Sequence, residues 1–136
     1  MAFLVLKNAS VTVNSVDLSD HVKQVTLNYS AESIEDTAMG ATFKSRVAGL
    51  KDWSVDVEFY QDYAASEVDA TLFPLVGAAA FAIIVKPDAG ATSATNPAYS
   101  GNVLLPEYTP VAGSVGEISM ASVTFEADGI LTRATT

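Results

Sequence analysis

The chain has no cysteine and only one histidine among its 136 residues. The first absence excludes a disulfide framework, a thiolate nucleophile and any cysteine-ligated zinc or iron–sulfur site. The second leaves a single side chain whose ordinary pKa suits acid–base work near neutral pH. Bases are scarce as well: seven against sixteen acids give a formal net charge of −9, which opposes attachment to a nucleic acid backbone because Lys and Arg supply the counterion-release contribution. Long hydrophobic runs are missing. The longest apolar stretch, Leu72 to Val85, is 14 residues and is broken by Pro74 and Gly77, where a spanning helix needs roughly 20. The opening MAFLVLKNAS has no basic n-region, and its apolar run is too short for a signal peptide. These absences lead to the expectation of a soluble chain with no membrane partner, no secretion signal, no cofactor and no metal site, stabilised by packing alone.

What is present suffices to pack. Hydrophobic residues make up 49% and charged residues 17%, too apolar a composition for a disordered acidic tail. A chain of 136 residues is the size of one ordinary domain, and residues 1–136 are read as a single domain. The clearest segment is GLKDWSVDVEFYQDY, Gly49 to Tyr63. Trp53, Val55, Val57 and Phe59 fall on one side, and Asp52, Ser54, Asp56, Glu58 and Tyr60 on the other. Only an extended backbone, with its period of two, makes both sides uniform. The pattern predicts a half-buried strand with Trp53 as a core anchor and Asp56 and Glu58 facing water, a lumen or a positive partner.

Other strands follow. Phe3 to Leu6 and Ser10 to Asn14 read as two short strands or one bent one, with a turn at Asn14 and Ser15. VKQVTLNY places Val25, Leu27 and Tyr29 on one face with Val22 out of phase, which predicts a bulge near Lys23. Phe81, Ile83 and Val85, with Ala82 and Ile84 between them, predict a strand apolar on both faces, central or covered by a helix. Tyr99 to Leu105 is extended and ends at Pro106, which assigns that end to a sheet edge. Glu117 to Phe125 changes phase, predicting a bulge at Ala121 and Ser122, after which Asp128–Gly129 forms a hairpin turn leading to a strand over Ile130 to Arg133. One helix is expected: Ser66 and Asp69 have capping-box spacing, and Val68, Leu72, Leu75 and Val76 lie on one stripe, with Pro74 cutting the last turn short.

Two segments show neither period. Ala31 to Lys51 mixes acids, small residues and bases; a connection of this length in a compact domain is either disordered or serves a partner contact, and partner contact is the expectation adopted. A second loop over 87–98, PDAGATSATNP and its flank, is small, polar and turn-forming. Seven or eight strands and one short helix define an all-β chain, a β-sandwich or small barrel.

Catalytic constellations are thin. His21, flanked by Asp17 and Asp20, lacks an adjacent nucleophile and orienting group and reads as a histidine hydrogen-bonded near a strand start. Glu32, Glu35 and Asp36, or Asp56, Glu58 and Asp62, could be paired carboxylates or hard-cation ligands. No EF-hand spacing, glycine-rich phosphate loop or G-x-S-x-G elbow accompanies them, so a solvated or partner-facing acidic face is the reading adopted, and no catalytic residue is assigned.

DTAMG at Asp36 to Gly40, GLKDWSV from Gly49, the pair Gln61–Asp62, and TNPAYSG at Thr95 to Gly101 occur in that order. In this arrangement, covering nearly the whole length, the chain resembles the small tail tube proteins of long-tailed bacteriophages. The resemblance implies a non-enzymatic virion protein: a sandwich or barrel with a flanking helix, assembled as hexameric rings whose inner sheets join around a channel. Stacked rings form the tail tube. It implies that the 31–51 segment packs ring on ring through Glu35, Asp36, Met39, Phe43, Lys44 and Arg46, and that an acidic lumen including Asp56 and Glu58 lets viral DNA pass without specific binding. Tail tip, terminator and tape-measure proteins are the implied partners, and assembly in the host cytoplasm the implied setting. Leu72, Phe81, Ile83 and Val85 join the Trp53 strand in the expected core. The competing readings are another virion β-module, such as a capsid decoration or tail fibre domain, and a carbohydrate-binding domain using tyrosines and carboxylates.

Overall fold

A computed structural model describes residues 3–136. Eight strands form one sheet: β1 (Ser10–Val13), β2 (Val16–Asp17), β3 (Val22–Glu35), β4 (Arg46–Tyr60), β5 (Phe81–Lys86), β6 (Ala98–Leu104), β7 (Met120–Ala127) and β8 (Thr132–Ala134). The order is β2-β1-β5-β6-β7-β4-β3, with β8 also paired to β6, and every named pairing is antiparallel. The junction between β6 and β7 is only two residue pairs wide, Val103↔Ala127 and Leu104↔Glu126. That narrow corner lets the sheet fold over into two halves, β2-β1-β5-β6 with β8, and β7-β4-β3, as a sandwich does.

The core fills the space between the halves. Val11, Val13, Trp53, Val55, Val57, Phe59, Phe81, Ile83, Val85, Val103, Ala121, Val123 and Phe125 are buried in one cluster, each at an alternate position of its strand, as period two demands. Phe81 on β5 meets Phe125 on β7 edge-to-face, with ring centroids 5.9 Å apart, a geometry the ring quadrupoles favour. Trp53 bridges the halves differently. Its indole N–H donates to the Gly129 carbonyl at 2.9 Å, and its six-membered ring lies on Gly101 of β6, where an added Cβ would sit 2.4 Å from the ring. The TNPAYSG segment thus ends in glycine because β6 must pass beneath the tryptophan of GLKDWSV.

The single α-helix, α1 (Val68–Leu72), continues into a 3-10 turn at Phe73–Leu75. Val68, Leu72 and Leu75 close the core. As expected, Pro74 shortens the helix. The capping box does not form: Ser66 has φ +64°, Glu67 is the cap residue without a side-chain bond, and the Asp69 carboxylate instead accepts from the Tyr108 hydroxyl at 2.9 Å. Val76 is 41% exposed, off the expected stripe, because the tighter 3-10 turn rotates it away.

Local signals held where the chain itself supplies both partners. Asn14 and Ser15 have φ +47° and +69° and link β1 to β2 by a tight turn, as type I′ geometry requires. The register shifts between Val22 and Gln24, which is the bulge expected near Lys23.

Several expectations are corrected. Ala31 to Lys51 is not an irregular loop: β3 and β4 stay paired out to Glu35↔Arg46, with one further irregularity between Ala31 and Ser33, so the segment is a projecting two-stranded arm whose tip is 36–45. β5 is central, between β1 and β6, as expected, but only one of its faces is covered, leaving Ile84 38% exposed. β6 is central, bonded to β5 on one side and to β7 and β8 on the other; it stops at Leu104, so Pro106 never has to sit in the ladder. β7 has no bulge and runs in continuous register with β4 from Glu126 to Met120, Met120 simply taking the outward side. Asp128–Gly129 does not make a hairpin; the chain carries on in the same direction and β8 pairs with β6. Phe3 to Leu6 form no strand, and their exposed side chains explain why: no neighbouring strand or core covers them.

Candidate functional site

Three features of the surface have no covering partner among the described residues. The first is the outward face of β3, β4 and β7. Register places Gln24, Glu58 and Ser122 in one row, Thr26, Asp56 and Thr124 in the next, and Asn28, Ser54 and Glu126 in the third. All nine are polar, and they include three carboxylates and no base. Asp56 is held by its neighbours: Thr124 donates to it at 2.7 Å and Asn28 at 3.0 Å. The acids Asp56 and Glu58 therefore lie on a polar plateau opposite the core.

The second feature is the border of the sheet. One end of the strand order is β2, only two residues long, which blunts that edge. The other end is β3, fourteen residues long. Among the described residues no backbone hydrogen bond reaches its outer side, so a row of N–H and C=O groups is left for another chain.

The third feature is the arm. Glu35 ends β3 and Arg46 begins β4, while Asp36, Met39, Phe43 and Lys44 occupy the tip. Lys44 lies 3.9 Å from Glu35, an exposed pair of small energetic weight. The tip is tied by Thr37, which accepts from the Ser45 amide at 2.8 Å. Met39 is 105% and Phe43 86% exposed. Tyr29 extends the core-side stripe of β3, while Ile34 and Val47, paired beyond the irregularity, lie on the opposite face; all three are about half exposed. Sequence patterning missed these side chains because the extra residue of β4 between Ala48 and Lys51 breaks the period of two there.

His21 precedes β3 and is bonded at both ring nitrogens, Nδ1 to Asp20 at 2.7 Å and Nε2 to Asp62 at 2.8 Å, with Glu67 at 3.3 Å. A neutral imidazole has one N–H, so donating on both sides requires the imidazolium. Desolvation is the largest influence on His21 and acts downward, but the bonds to Asp62 and Asp20 and the charges of Asp20 and Glu67 together raise its pKa above the ordinary 6.5. The Asp62 carboxyl is lowered, chiefly by the Ala64 amide and then by His21. Asp20, His21 and Glu67 also have the ligand atoms to surround a metal ion, yet in this arrangement each imidazole nitrogen already serves a carboxylate. The motif Gln61–Asp62 is structural in the same way: Gln61 donates to the Tyr108 hydroxyl and the Pro110 carbonyl, both at 2.8 Å, and burial pushes the Tyr108 phenol up to about 12.

The clasp ties the start of β3 to the segment before α1, and its pH dependence follows from the raised His21 value. Its contribution to stability is fully present below the unfolded pKa near 6.5 and is lost as pH rises through the folded value. Thermal unfolding of wild type should therefore weaken relative to His21→Gln on going from acid to alkaline solution; parallel pH profiles for the two proteins would show that no such clasp operates.

Asn96 organises the 87–98 segment from its buried position, donating to the carbonyls of Asp88, Gly90 and Ala91 at 3.0 to 3.1 Å. No pocket among these features combines enclosure with convergent catalytic groups. Among the described residues, no helix is long and apolar enough to cross a membrane.

No protein-family model matches the chain, and no curated protein matches it in sequence. Its fold is found in solved structures. A chain of the virion of a native gene transfer agent particle superposes with a TM-score of 0.72 at 13% identity, covering 93% of this chain and 95% of that one. A chain of an extracellular contractile injection system, in the PVC sheath/tube terminator in its extended state, gives 0.74 at 14% identity, covering 98% and 97%. A chain from the tail of an empty gene transfer agent particle with C6 symmetry gives 0.65 at 15%, covering 82% and 81%. At these identities the likeness is one of backbone architecture, and over nearly its whole length this all-β chain with one short helix has the fold found in chains of phage-like tail and contractile injection assemblies.

Proposed function

We propose that this chain is a structural, non-enzymatic tail tube subunit: a single domain over 1–136 that assembles into hexameric rings, which stack into the hollow tube of a virion tail. The observation that carries the proposal is the pair of unfinished surfaces on a chain of this fold, the unpaired outer side of β3 and the apolar arm. Covering one such side chain contributes about 1.5–3 kcal/mol, and an edge strand left open invites uncontrolled pairing. Natural proteins keep both only where an identical or different partner completes them. The six-fold symmetry given for the gene transfer agent tail supports six copies per ring.

In this reading the two features act in different directions. Edge pairing of β3 with the next copy is a heterologous contact whose rotation closes into a ring, whereas the arm, with Glu35, Asp36, Met39, Phe43, Lys44 and Arg46, makes contacts along the axis that never close and so extend the tube. The polar plateau carrying Asp56 and Glu58 faces the channel. Its carboxylates repel DNA phosphates, and the missing bases withhold the counterion release that would make DNA stick. Genome passage then needs no specific binding. Tip, terminator and tape-measure proteins meet the same ring surfaces, assembly takes place in the host cytoplasm, and the product resides in the virion.

Electron microscopy of the concentrated full chain tests this. Rings or hollow tubes with six-fold views are expected. Compact monomers under every condition, particle-derived material included, would contradict it, and trimers seated on a capsid lattice would favour a decoration protein instead.

A further inference from the structure

The arm needs a receptor, and the chain carries a hollow of matching chemistry. Between β3 and the end of β5 lies an open apolar depression of about 260 Å³, lined by Leu6, Val25, Leu27, Val85 and Tyr99. Lys86 stands on its rim, and an adjoining depression that shares Leu6 and Val25 is lined by Lys7 and Lys23. Three of the chain's seven bases thus gather around one apolar hollow, in a protein of net charge −9. Such a site fits an apolar side chain flanked by carboxylates. The arm tip presents both: Met39 and Phe43 are fully or almost fully exposed, and the carboxylates Glu35 and Asp36 stand at its base, Glu35 alongside Lys44 and opposite Arg46.

The tip cannot reach its own hollow. Val25 lines the hollow and Glu35 begins the tip, and both belong to β3. Ten residues of strand hold them about 33 Å apart when extended, and pairing with β4 along that length, interrupted only between Ala31 and Ser33, keeps the strand extended. We infer that the hollow between β3 and β5 receives the arm tip of a neighbouring copy, Phe43 and Met39 entering the apolar depression while Glu35 and Asp36 meet Lys7, Lys23 and Lys86. The inference rests on the tail tube reading and identifies the receiving surface within it. Tip and hollow are different patches, so the contact is heterologous and propagates from copy to copy. Opposed charges set its register and partner choice more than its strength.

The absence of native cysteine makes the test direct, because any disulfide reports only introduced thiols. Full-length Phe43→Cys protein is mixed with full-length Leu27→Cys protein under conditions where wild type forms rings or tubes, and Val115→Cys, a fully exposed position, serves as the comparison. Seating at the hollow raises the local thiol concentration, so the 43–27 disulfide is expected to form at least about tenfold faster than the 43–115 one. Equal rates in intact tubes would overturn the inference and leave the tube reading standing. Failure of wild type to assemble under any condition would remove both. A second arm guards against a thiol that disturbs packing: Lys23→Glu with Lys86→Glu should abolish assembly, and adding Glu35→Lys with Asp36→Lys should restore it. Tubes that form normally with the lysines reversed would also overturn the inference.

Discussion

Replacing Trp53 with alanine should lower the unfolding free energy by about 3 to 5 kcal/mol, a large part of what a domain of this size possesses. Three losses coincide at this position. The side chain is 4% exposed, so its removal leaves a cavity between the two halves of the sheet. The Gly129 carbonyl loses the indole donor at 2.9 Å, which leaves a polar group short of a partner. Gly101 was kept free of a side chain to admit the ring, and without the ring that glycine is merely flexible backbone. Chemical denaturation of the monomer measures the effect through the midpoint at constant slope. A change below about 1 kcal/mol, typical of a surface substitution, would mean that Trp53 does not join the halves.

Removing the arm should have the opposite profile, with little cost to folding and complete loss of assembly. Ala31 and Lys51 are direct partners in the ladder, so replacing residues 32–50 by Asn-Gly should close a two-residue hairpin at that level. The deleted stretch contributes no residue to the core cluster. The melting temperature should stay close to that of wild type while rings and tubes disappear from electron micrographs. Normal tubes from the shortened chain would deny the arm any part in assembly.

Trp53, Val55, Val57 and Phe59 were legible in the sequence because one side of β4 meets a core and the other meets water, and that asymmetry writes alternation into the residues. The Asn14–Ser15 turn, the bulge near Lys23 and the stop at Pro74 were legible because each depends on a few adjacent residues. The arm was not legible. Neither of its faces is covered within the chain, so its side chains answer to surfaces of other molecules and show no period that a single chain would impose.

Errors in strand pairing have a related cause. Asp128–Gly129 has good hairpin chemistry, but turn residues do not choose the partner strand; β8 goes to β6 because β4 already occupies the other side of β7. Pro106 suggested an edge, yet two residues beyond the strand end it constrains nothing in the ladder. Ile84 looked buried because its neighbours are apolar. Its exposure is what a face reserved for another molecule would show. The His21 clasp joins residues 41 positions apart in sequence, a distance over which spacing carries no information.

In the proposed tube the outer side of β3, unpaired in the lone chain, is completed by a neighbouring copy. Hydrogen exchange tests it most directly, read at the amides between Gln24 and Tyr29 that point away from β4. In the monomer these amides should exchange almost as fast as in an unfolded peptide, and in assembled tubes they should become protected together. Amides already protected in the monomer, or still unprotected in the tube, would show that β3 is not completed by a neighbouring copy.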